Sequence, residues 1–196
     1  MTARISIATG AAIEPYLDAL AGLRIAVFRE YPYLYEGSAD YERHYLASYA
    51  GSPDSVVVLV RDGERVVGAS TALPLVQHSD EVVPPFVRAG IAPDSVYYYG
   101  ESVLDPAYRG RGFGAAFFVE RERRARELGF RVAAFCAVDR PADHPRRPPG
   151  YVAPGALWQR HGFVRRPDLV GSFAWRDVGD AAETTKPMVF WTKELA

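Results

Sequence analysis

The sequence has little of several features that would place it in a specialised class. A single cysteine, Cys136, excludes any disulfide within the chain. No apolar run approaches the length that crosses a bilayer, and no basic segment followed by an apolar one stands at the N-terminus. The formal net charge is −1, so no overall basic field would draw the chain to nucleic acid or to an anionic membrane. We therefore expect a cytoplasmic protein with neither nucleic acid nor a membrane as partner.

The composition is that of an ordinary globular domain, and its apolar periodicity predicts a mixed α/β fold. The 196 residues, 48% of them hydrophobic, favour a single domain covering residues 1–196. Strands are predicted at 4–9, 56–61, 66–73, 96–104, 131–138, 170–175 and 188–193. Helices are predicted at 16–29, 40–49, 112–128 and 156–161, with one more short helix inside the irregular stretch 74–95. The arginines and glutamates of the helix at 112–128 are expected to face solvent.

The most informative segment, the glycine turn (residues 109–115), joins the strand ending at Leu104 to the helix that follows. Its glycines, at positions 110, 112 and 114, let the backbone approach a ligand closely, and the helix N-terminus attracts anions. Arg109 and Arg111 add positive charge suited to phosphate oxygens. The segment therefore predicts a phosphate or pyrophosphate site.

Two familiar phosphate-binding patterns fit this segment poorly. A P-loop requires Gly-Lys-Ser/Thr at the start of the helix, and the sequence lacks it. Gly110, Gly112 and Ala115 match a dinucleotide-binding fingerprint, which would make the protein a nicotinamide-dependent enzyme. That fingerprint needs an acidic residue about 20 positions further on, and Arg131 stands there instead.

The segment resembles the acetyl-CoA motif of the GNAT superfamily of N-acetyltransferases. The motif is carried by Arg109-x-x-Gly112-x-Gly114, just after a strand that ends in Leu104-Asp105-Pro106. Residues 157–163, LWQRHGF, are similar to the short family helix that ends in Gly-Phe. The resemblance implies a central mixed, mostly antiparallel sheet, splayed between strands 4 and 5 and flanked by about four helices.

The resemblance also implies the cosubstrate and the residues that hold it. The backbone groups of Val103 and Leu104 would pair with the pantetheine arm of acetyl-CoA. The pyrophosphate would be held by the N–H groups of the glycine turn, namely Arg109, Gly110, Arg111, Gly112, Phe113, Gly114 and Ala115. No metal is expected, because the four histidines lack ligand spacing. Dimers are common for such folds, so a homodimer is also expected by analogy.

The implied chemistry is direct acyl transfer to an amine, which needs a general base near the acyl site. Glu101 is the candidate, on the strand face that alternation assigns also to Tyr97 and Tyr99, where burial would raise its pKa. The alternative is that Glu101 belongs to a core hydrogen-bond network or binds the charge of the substrate. Trp158 stands where the family often has the tyrosine that protonates the leaving thiolate, so Tyr151, another group or water is left for that step.

Two loops are candidates for binding the acceptor. The aromatic loop (residues 31–37) carries Tyr31, Tyr33 and Tyr35, which suit a cationic or aromatic amine, although packing alone would also explain them. The proline-rich loop (residues 139–154) carries Asp139, Asp143 and His144. An Asp–His pair among them would bind the acceptor or serve as an alternative base, and the other interpretation is a rigid structural loop in which these residues cap turns.

Taken together, these features predict an acetyl-CoA-dependent N-acetyltransferase that acts on a primary amine of a small molecule or a protein. The alternative is a non-catalytic acyl-CoA-binding sensor of the same fold, which Trp158 would favour and Glu101 would not. Cys136 is expected to be a buried core residue rather than a nucleophile.

Overall fold

The computed structural model describes residues 3–78 and 81–195, in which seven strands form one sheet. Their order across the sheet is β1-β2-β3-β4-β5-β7-β6, and each neighbouring pair is antiparallel except β4 and β5. The strands are β1 (Arg4–Ala8), β2 (Val56–Asp62), β3 (Arg65–Pro74), β4 (Val96–Leu104), β5 (Val132–Val138), β6 (Val164–Trp175) and β7 (Thr184–Glu194). The mixed, mostly antiparallel sheet expected from the sequence is confirmed.

The helices are α1 (Leu17–Phe28), α2 (Ala39–Gly51), α3 (Val83–Arg88), α4 (Phe113–Glu127) and α5 (Gly155–Arg160). α1 and α2 pack together, and their apolar residues share a core with one face of strands β1 to β4. Phe117, Phe118 and Ala125 of α4 pack on the opposite face with residues of β2, β4 and β5. The helix α3 contributes Phe86 to a third cluster, which covers β5 and β7.

β4 and β5 pair only along their first three residues. Val96, Tyr97 and Tyr98 face residues 132–134 of β5, and no further pair joins these strands in the described chain. Beyond this point the two parallel strands diverge. The predicted splay between strands 4 and 5 is thus confirmed, and it opens a gap in the middle of the sheet.

A bulge interrupts the pairing of β4 with β3. Ser70 pairs with Ser102, whereas Ala72 pairs with Tyr99, so two β4 residues lie opposite one β3 residue. The additional residue shifts the alternation of side chains along β4 by one step.

The bulge reverses the face on which Glu101 lies. Tyr97 and Tyr99 pack in the cluster beneath α4, whereas Glu101 contacts side chains of α1 and α2 on the other face. The expectation that Glu101 shares a face with these tyrosines is therefore wrong. Gly100 permits the bulge, because a Cβ there would lie 2.1 Å from the Tyr49 hydroxyl.

Arg121 departs from the solvent-facing role expected for the arginines of α4. Its side chain is 2% exposed, beneath the sheet. It lies four residues after Phe117 and four before Ala125, and this spacing places all three on the buried stripe of the helix. The guanidinium donates to the carbonyl groups of Phe117 and Glu101 and to the Ser102 hydroxyl.

The last two strands are longer than predicted. β6 begins at Val164 rather than at residue 170, and β7 begins at Thr184 rather than at residue 188. The polar segment after Val164 contains Pro167 and does not resemble a strand, but β6 is an edge strand that pairs only with β7. An edge strand tolerates a proline, and the register shifts between Arg166 and Val170 to accommodate it.

Candidate active site

The gap between β4 and β5 leads into a cavity of about 580 Å³. β4 contributes Gly100, Glu101, Ser102 and Leu104 to its wall, and β5 contributes residues 135–138. α4 and α5 close one side with Phe117, Arg121, Leu157 and Trp158, while the aromatic and proline-rich loops border the other end. The cavity brings together predicted site residues from β4, the glycine turn and both loops, but of the glycine turn only Arg109 and Gly114 line its wall, and Gly110, Arg111, Gly112, Phe113 and Ala115 do not.

The glycine turn lies where β4 runs into α4. Gly110 and Gly112 have φ angles of 74° and 86°, a left-handed conformation that favours glycine. A Cβ at either position would meet nothing within 4 Å, so both glycines leave open space beside the backbone. Gly112 caps α4, and none of the N–H groups from Gly110 to Ala115 has an acceptor within the described residues. Such a free helix N-terminus is suited to an anion.

The two arginines of the glycine turn mainly bind other parts of the protein. Both terminal nitrogens of Arg109 donate to the Glu30 carboxylate, at 3.0 and 3.1 Å, and its Nε donates to the Leu104 carbonyl. Arg111 donates to the Ala107 carbonyl at 2.8 Å. Arg109 lines the cavity, but its charge is balanced by Glu30. The backbone N–H groups are therefore unpaired donors here, and Arg111, which forms no ion pair within the described residues, keeps its positive charge available to an anion.

Of the two strand residues predicted to contact pantetheine, only Leu104 lines the cavity. The side chain of Val103 is fully buried on the opposite face, in the core formed with α1 and α2. That orientation leaves only the backbone of Val103 available to a ligand in the gap.

Glu101 lines the cavity and is 4% exposed. Its Oε2 lies 2.5 Å from Arg24 of α1 and accepts a hydrogen bond of 3.3 Å from the Tyr45 hydroxyl. Its Oε1 is buried and has no hydrogen-bond partner of normal distance and angle within the described chain, although the nearby Thr71 side chain interacts with the carboxylate and lowers its pKa. Burial raises the pKa of Glu101, and the positive charge of Arg24 opposes that rise without cancelling it. A carboxylate with a raised pKa and an unpaired oxygen is suited to accepting a proton.

Two of the three tyrosines of the aromatic loop border the cavity. Tyr31 lines it and packs edge-on against Tyr151, with 4.7 Å between ring centroids. Tyr33 also lines it, and its carbonyl accepts hydrogen bonds from Arg140 and Trp175. Tyr35 is not part of the cavity wall in the described structure. It lies beside Glu42, and burial, together with that carboxylate, raises its pKa.

In the proline-rich loop, Asp139 and His144 bind different partners rather than each other. Asp139 lines the cavity and forms an ion pair of 3.0 Å with Arg165. The Nδ1 of His144 accepts a hydrogen bond from the Arg146 N–H, and its ring packs against Tyr31. The Asp–His pair considered from the sequence is therefore not formed, and His144 supports Tyr31 from outside the cavity wall.

Trp158, at the position of the usual family tyrosine, and Tyr151 both lie on the cavity wall. Trp158 lies edge-on to both Phe135 and Trp191, with 5.0 Å between ring centroids in each case, so it acts as an apolar wall. Tyr151 lines the cavity at the end next to Tyr31, and burial raises the pKa of its phenol.

Arg24 is the site residue that sequence reasoning missed. It follows Leu20 by four residues and precedes Phe28 by four, so helix geometry places its charge on the apolar stripe of α1. A charged residue in a buried stripe requires a partner of opposite charge, and Arg24 could have been identified from the sequence on that ground. The partners, Glu42 and Glu101, are distant in sequence and become neighbours only in the fold.

Two features are not found in the described part of the chain. Among residues 3–78 and 81–195, no group of three or more His, Cys, Asp or Glu side chains is arranged to hold a metal ion. Within the same residues, no helix combines the length and apolar character needed to cross a membrane.

Several solved structures have a similar fold. An N-acetyltransferase from Staphylococcus aureus Mu50 is 16% identical, with 100% of each chain covered and a TM-score of 0.62. A ribosomal-protein-alanine N-acetyltransferase from Brucella melitensis is 19% identical, with 98% of this chain and 99% of that chain covered and a TM-score of 0.62. An aminoglycoside 6'-N-acetyltransferase complexed with coenzyme A is 14% identical, with 97% of each chain covered and a TM-score of 0.59.

The sequence itself was compared with curated proteins, and none matches it. The family model described as the acetyltransferase (GNAT) family, however, matches residues 21–148, which is more than half of the chain. The matched region contains residues 21–28 of α1, the bulged strand β4, the glycine turn and β5, and so includes most of the cavity wall. This chain belongs to the GNAT acetyltransferase family.

Proposed function

We propose that the protein is an acetyl-CoA-dependent N-acetyltransferase that transfers the acetyl group directly to a primary amine of a small molecule or a protein. One observation carries the proposal. A single cavity reaches the glycine turn at Arg109 and Gly114, beside the free N–H groups of that turn, and its wall also contains a buried carboxylate, Glu101, that lacks a partner for one oxygen. Acetyl transfer from acetyl-CoA to an amine needs a site for the phosphates of the thioester and a group that accepts a proton. This cavity offers both.

The residues present fit acetyl-CoA. The N–H groups from Gly110 to Ala115 would hold its pyrophosphate, because they are unpaired and lie at the positive end of α4. The divergence of β4 from β5 leaves backbone and apolar side chains beside a gap, and Leu104 and Phe117 line it. When bound, acetyl-CoA supplies the acetyl group as a thioester.

Glu101 would act as the general base. A protonated amine cannot attack a carbonyl carbon, so Glu101 takes a proton from the acceptor, directly or through one water molecule. The new C–N bond forms as the C–S bond breaks, the thiolate leaves with the bonding electrons, and the nitrogen releases its second proton to water as the amide forms. The raised pKa of Glu101 brings its proton affinity nearer to that of the attacking amine, which favours the transfer.

The thiolate then takes up a proton. Trp158 cannot supply it, since an indole N–H is not acidic in water. Tyr151 is the phenol that lines the cavity, and we propose it as the donor, with water as the alternative.

The acceptor would enter between the aromatic and proline-rich loops. Tyr31, Tyr33 and Asp139 line that end of the cavity, where Asp139 is paired with Arg165, so the aromatic faces are the groups that would attract a cationic or aromatic amine. Tyr35 and His144, which do not line the cavity, would support this wall from behind.

One observation favours a second candidate, a non-catalytic acyl-CoA-binding sensor. Glu101 is already engaged by Arg24 through its Oε2, and a purely structural ion pair would need no turnover. The unpaired Oε1 and the raised pKa argue for catalysis. The two candidates differ in one measurable property, since only the enzyme releases CoA when an amine is added.

Calorimetric titration of the purified protein with acetyl-CoA, with CoA and NAD in parallel, tests the cosubstrate site. We expect acetyl-CoA and CoA to bind, NAD not to bind, and Gly112→Trp to abolish binding, because the indole would fill the space beside the turn. Gly90→Trp is the matched control, since Gly90 also has a positive φ, 70°, and open space beside it. Absence of binding to the folded wild-type protein would contradict the proposal.

Thiol release then tests catalysis. A panel of amines should contain an aminoglycoside, a peptide with an N-terminal alanine, a polyamine and an aromatic amine, since the first two are acceptors named for structurally similar proteins. Thiol release that depends on one of these amines supports the enzyme. Binding of acetyl-CoA without any amine-dependent release would favour the sensor.

A further inference from the structure

Arg24 stands between two buried carboxylates. Its Nη1 contacts the Oε2 of Glu101 at 2.5 Å, and its Nε donates to the Oε2 of Glu42 on α2. Phe28 and Tyr45 hold the guanidinium from both sides, with its central carbon 5.0 and 4.4 Å from their ring centroids. Arg24 is 9% exposed and Glu42 is fully buried, so neither can exchange its partner for water.

The charges in this cluster do not balance. Two carboxylates share one guanidinium, and no second cation bonds to either carboxylate within the described chain. Arg121 approaches from α4, but it donates to the Glu101 carbonyl and to Ser102 rather than to a carboxylate. The other groups near the two carboxylates are polar or titratable, namely Tyr41, Tyr45 and Tyr49 from α2, Thr71 from β3, Tyr35 from the aromatic loop and His78, which is 3.2 Å from the Tyr45 hydroxyl.

We propose that Arg24 and Glu42 are positioning residues for Glu101. Arg24 fixes the Oε2 of Glu101, and Glu42 neutralises part of the positive charge of Arg24, so that Glu101 stays able to accept a proton. The inference rests on the proposed role of Glu101 as general base. It assigns a function to two residues on α1 and α2, neither of which touches the glycine turn.

The second carboxylate matters because one guanidinium facing Glu101 alone would make a weak base. An opposite charge at this distance lowers the pKa of a carboxyl group, whereas a like charge raises it. Burial raises the pKa of Glu101, Arg24 lowers it and Glu42 raises it, in that order of size. Glu42 therefore offsets part of the effect of Arg24, while the ion pair still fixes the orientation of Glu101.

The test is a pH titration of the Glu101 carboxyl group by NMR on protein labelled with ¹³C in its glutamate carboxyls. The signal of Glu101 is identified by its loss in Glu101→Gln. We expect Glu42→Gln to move the titration midpoint of Glu101 to lower pH, by on the order of one pH unit. We expect Arg24→Gln to move it to higher pH by a similar amount, and Arg24→Lys to restore it in part.

Shifts in opposite directions would not follow from a merely structural cluster, which would lose thermal stability in each variant without that pattern. If Glu42→Gln is folded by circular dichroism and leaves the midpoint unchanged or raises it, the inference is wrong. If Arg24→Gln fails to fold, Glu42→Gln alone tests the inference, because glutamine keeps the shape of glutamate.

This failure is separable from failure of the proposed function. The titration needs neither acetyl-CoA nor an acceptor. If Glu101→Gln keeps full thiol release, the assignment of Glu101 as the base is wrong. If Glu101→Gln is inactive but Glu42→Gln does not lower the titration midpoint of Glu101, only the role given to Arg24 and Glu42 is wrong. In an active enzyme, the acidic limb of kcat/KM for the amine should follow the NMR midpoint in each variant.

Discussion

At the scale of single residues, Arg121 links α4 to the bulge that carries Glu101. It is buried without a carboxylate partner, and its donors bond to Ser102 and to the carbonyls of Phe117, Thr71 and Glu101. The guanidinium also stacks 4.4 Å from the centroid of the Tyr99 ring. One side chain thus satisfies carbonyl groups on both strands at the place where the bulge interrupts their pairing.

Replacing Arg121 with methionine should therefore destabilise the protein. We expect a loss of about 2–4 kcal/mol in the free energy of unfolding, since buried carbonyls would be left unpaired. Urea denaturation measures it. Arg123→Met is the matched control, because Arg123 lies on the exposed face of α4 and forms surface ion pairs, so its replacement should change stability by less than about 1 kcal/mol. Equal losses in the two variants would contradict this role for Arg121.

Cys136 illustrates a residue whose environment suppresses its chemistry. Burial raises the pKa of its thiol to about 12, and the Tyr98 hydroxyl lies 3.1 Å from its sulfur. Although Cys136 lines the cavity, almost none of it is thiolate at neutral pH. We expect iodoacetamide at pH 8 to leave it unmodified in the folded protein and to alkylate it in urea, as measured by mass spectrometry. Rapid alkylation of the folded protein would show that the cavity activates the thiol.

At the scale of elements, Asp177 binds the aromatic loop to the proline-rich loop and to β7. Its carboxylate forms ion pairs with Arg140 at 2.8 Å, Lys186 at 3.0 Å and Arg146 at 3.2 Å. Arg140 also donates to the carbonyls of Pro32 and Tyr33, next to Tyr31 at the cavity. The acceptor end of the cavity is thus fixed through one buried carboxylate that lies after β6.

Asp177→Asn should weaken this connection in a pH-dependent way. Burial raises the pKa of Asp177, but hydrogen bonds from Arg140 and Lys186 outweigh that effect and lower it overall. A lowered folded-state pKa stabilises the protein above the unfolded value of about 4, and this stabilisation is lost as the pH falls through the folded-state pKa. We expect a loss of about 3–5 kcal/mol at pH 7, since removing one partner leaves buried cations uncompensated.

The stability difference between wild type and Asp177→Asn should shrink below about pH 4, as urea denaturation across pH would show. Asp180→Asn is the control, because Asp180 contacts the same Arg146 from the surface and its loss should cost less than about 1 kcal/mol. A stability difference that did not change with pH would contradict the account of Asp177.

Sequence patterns located the elements well where local rules decide them. The bounds of β4 were predicted as observed, and the N-terminus of α4 followed from its glycines. The face of Glu101 was not predictable, because alternation assumes an unbroken ladder and the bulge depends on the contact of Gly100 with Tyr49. The start of β6 at Val164 could not be predicted either, because its pairing with β7 overrides the weak strand propensity around Pro167.

At the scale of the whole molecule, the sheet brings parts of the chain that are far apart in sequence to one cavity. Arg24 lies on α1 and Glu101 on β4, 77 positions later (101 − 24), and Tyr151 follows the splayed strands. The glycine turn could be found from sequence because all its parts are consecutive. The surroundings of Glu101 could not, since each partner comes from a different element and is brought there by packing.

If the cavity holds acetyl-CoA, binding should stabilise the fold by mass action. At a ligand concentration 100 times the Kd, we expect a gain of about 2.7 kcal/mol and a corresponding rise in Tm. Differential scanning calorimetry measures it. Gly112→Trp should lose the rise while Gly90→Trp keeps it, and a rise retained in Gly112→Trp would mean that acetyl-CoA binds elsewhere.

The most direct test of the central claim, that Glu101 is the base of an acetyl transfer, is the rate of thiol release by Glu101→Gln with the best amine of the panel. The account predicts a fall in kcat/KM for the amine of about 100-fold or more, with the Kd for acetyl-CoA unchanged. A Glu101→Gln protein that bound acetyl-CoA normally and turned over at the wild-type rate would contradict it.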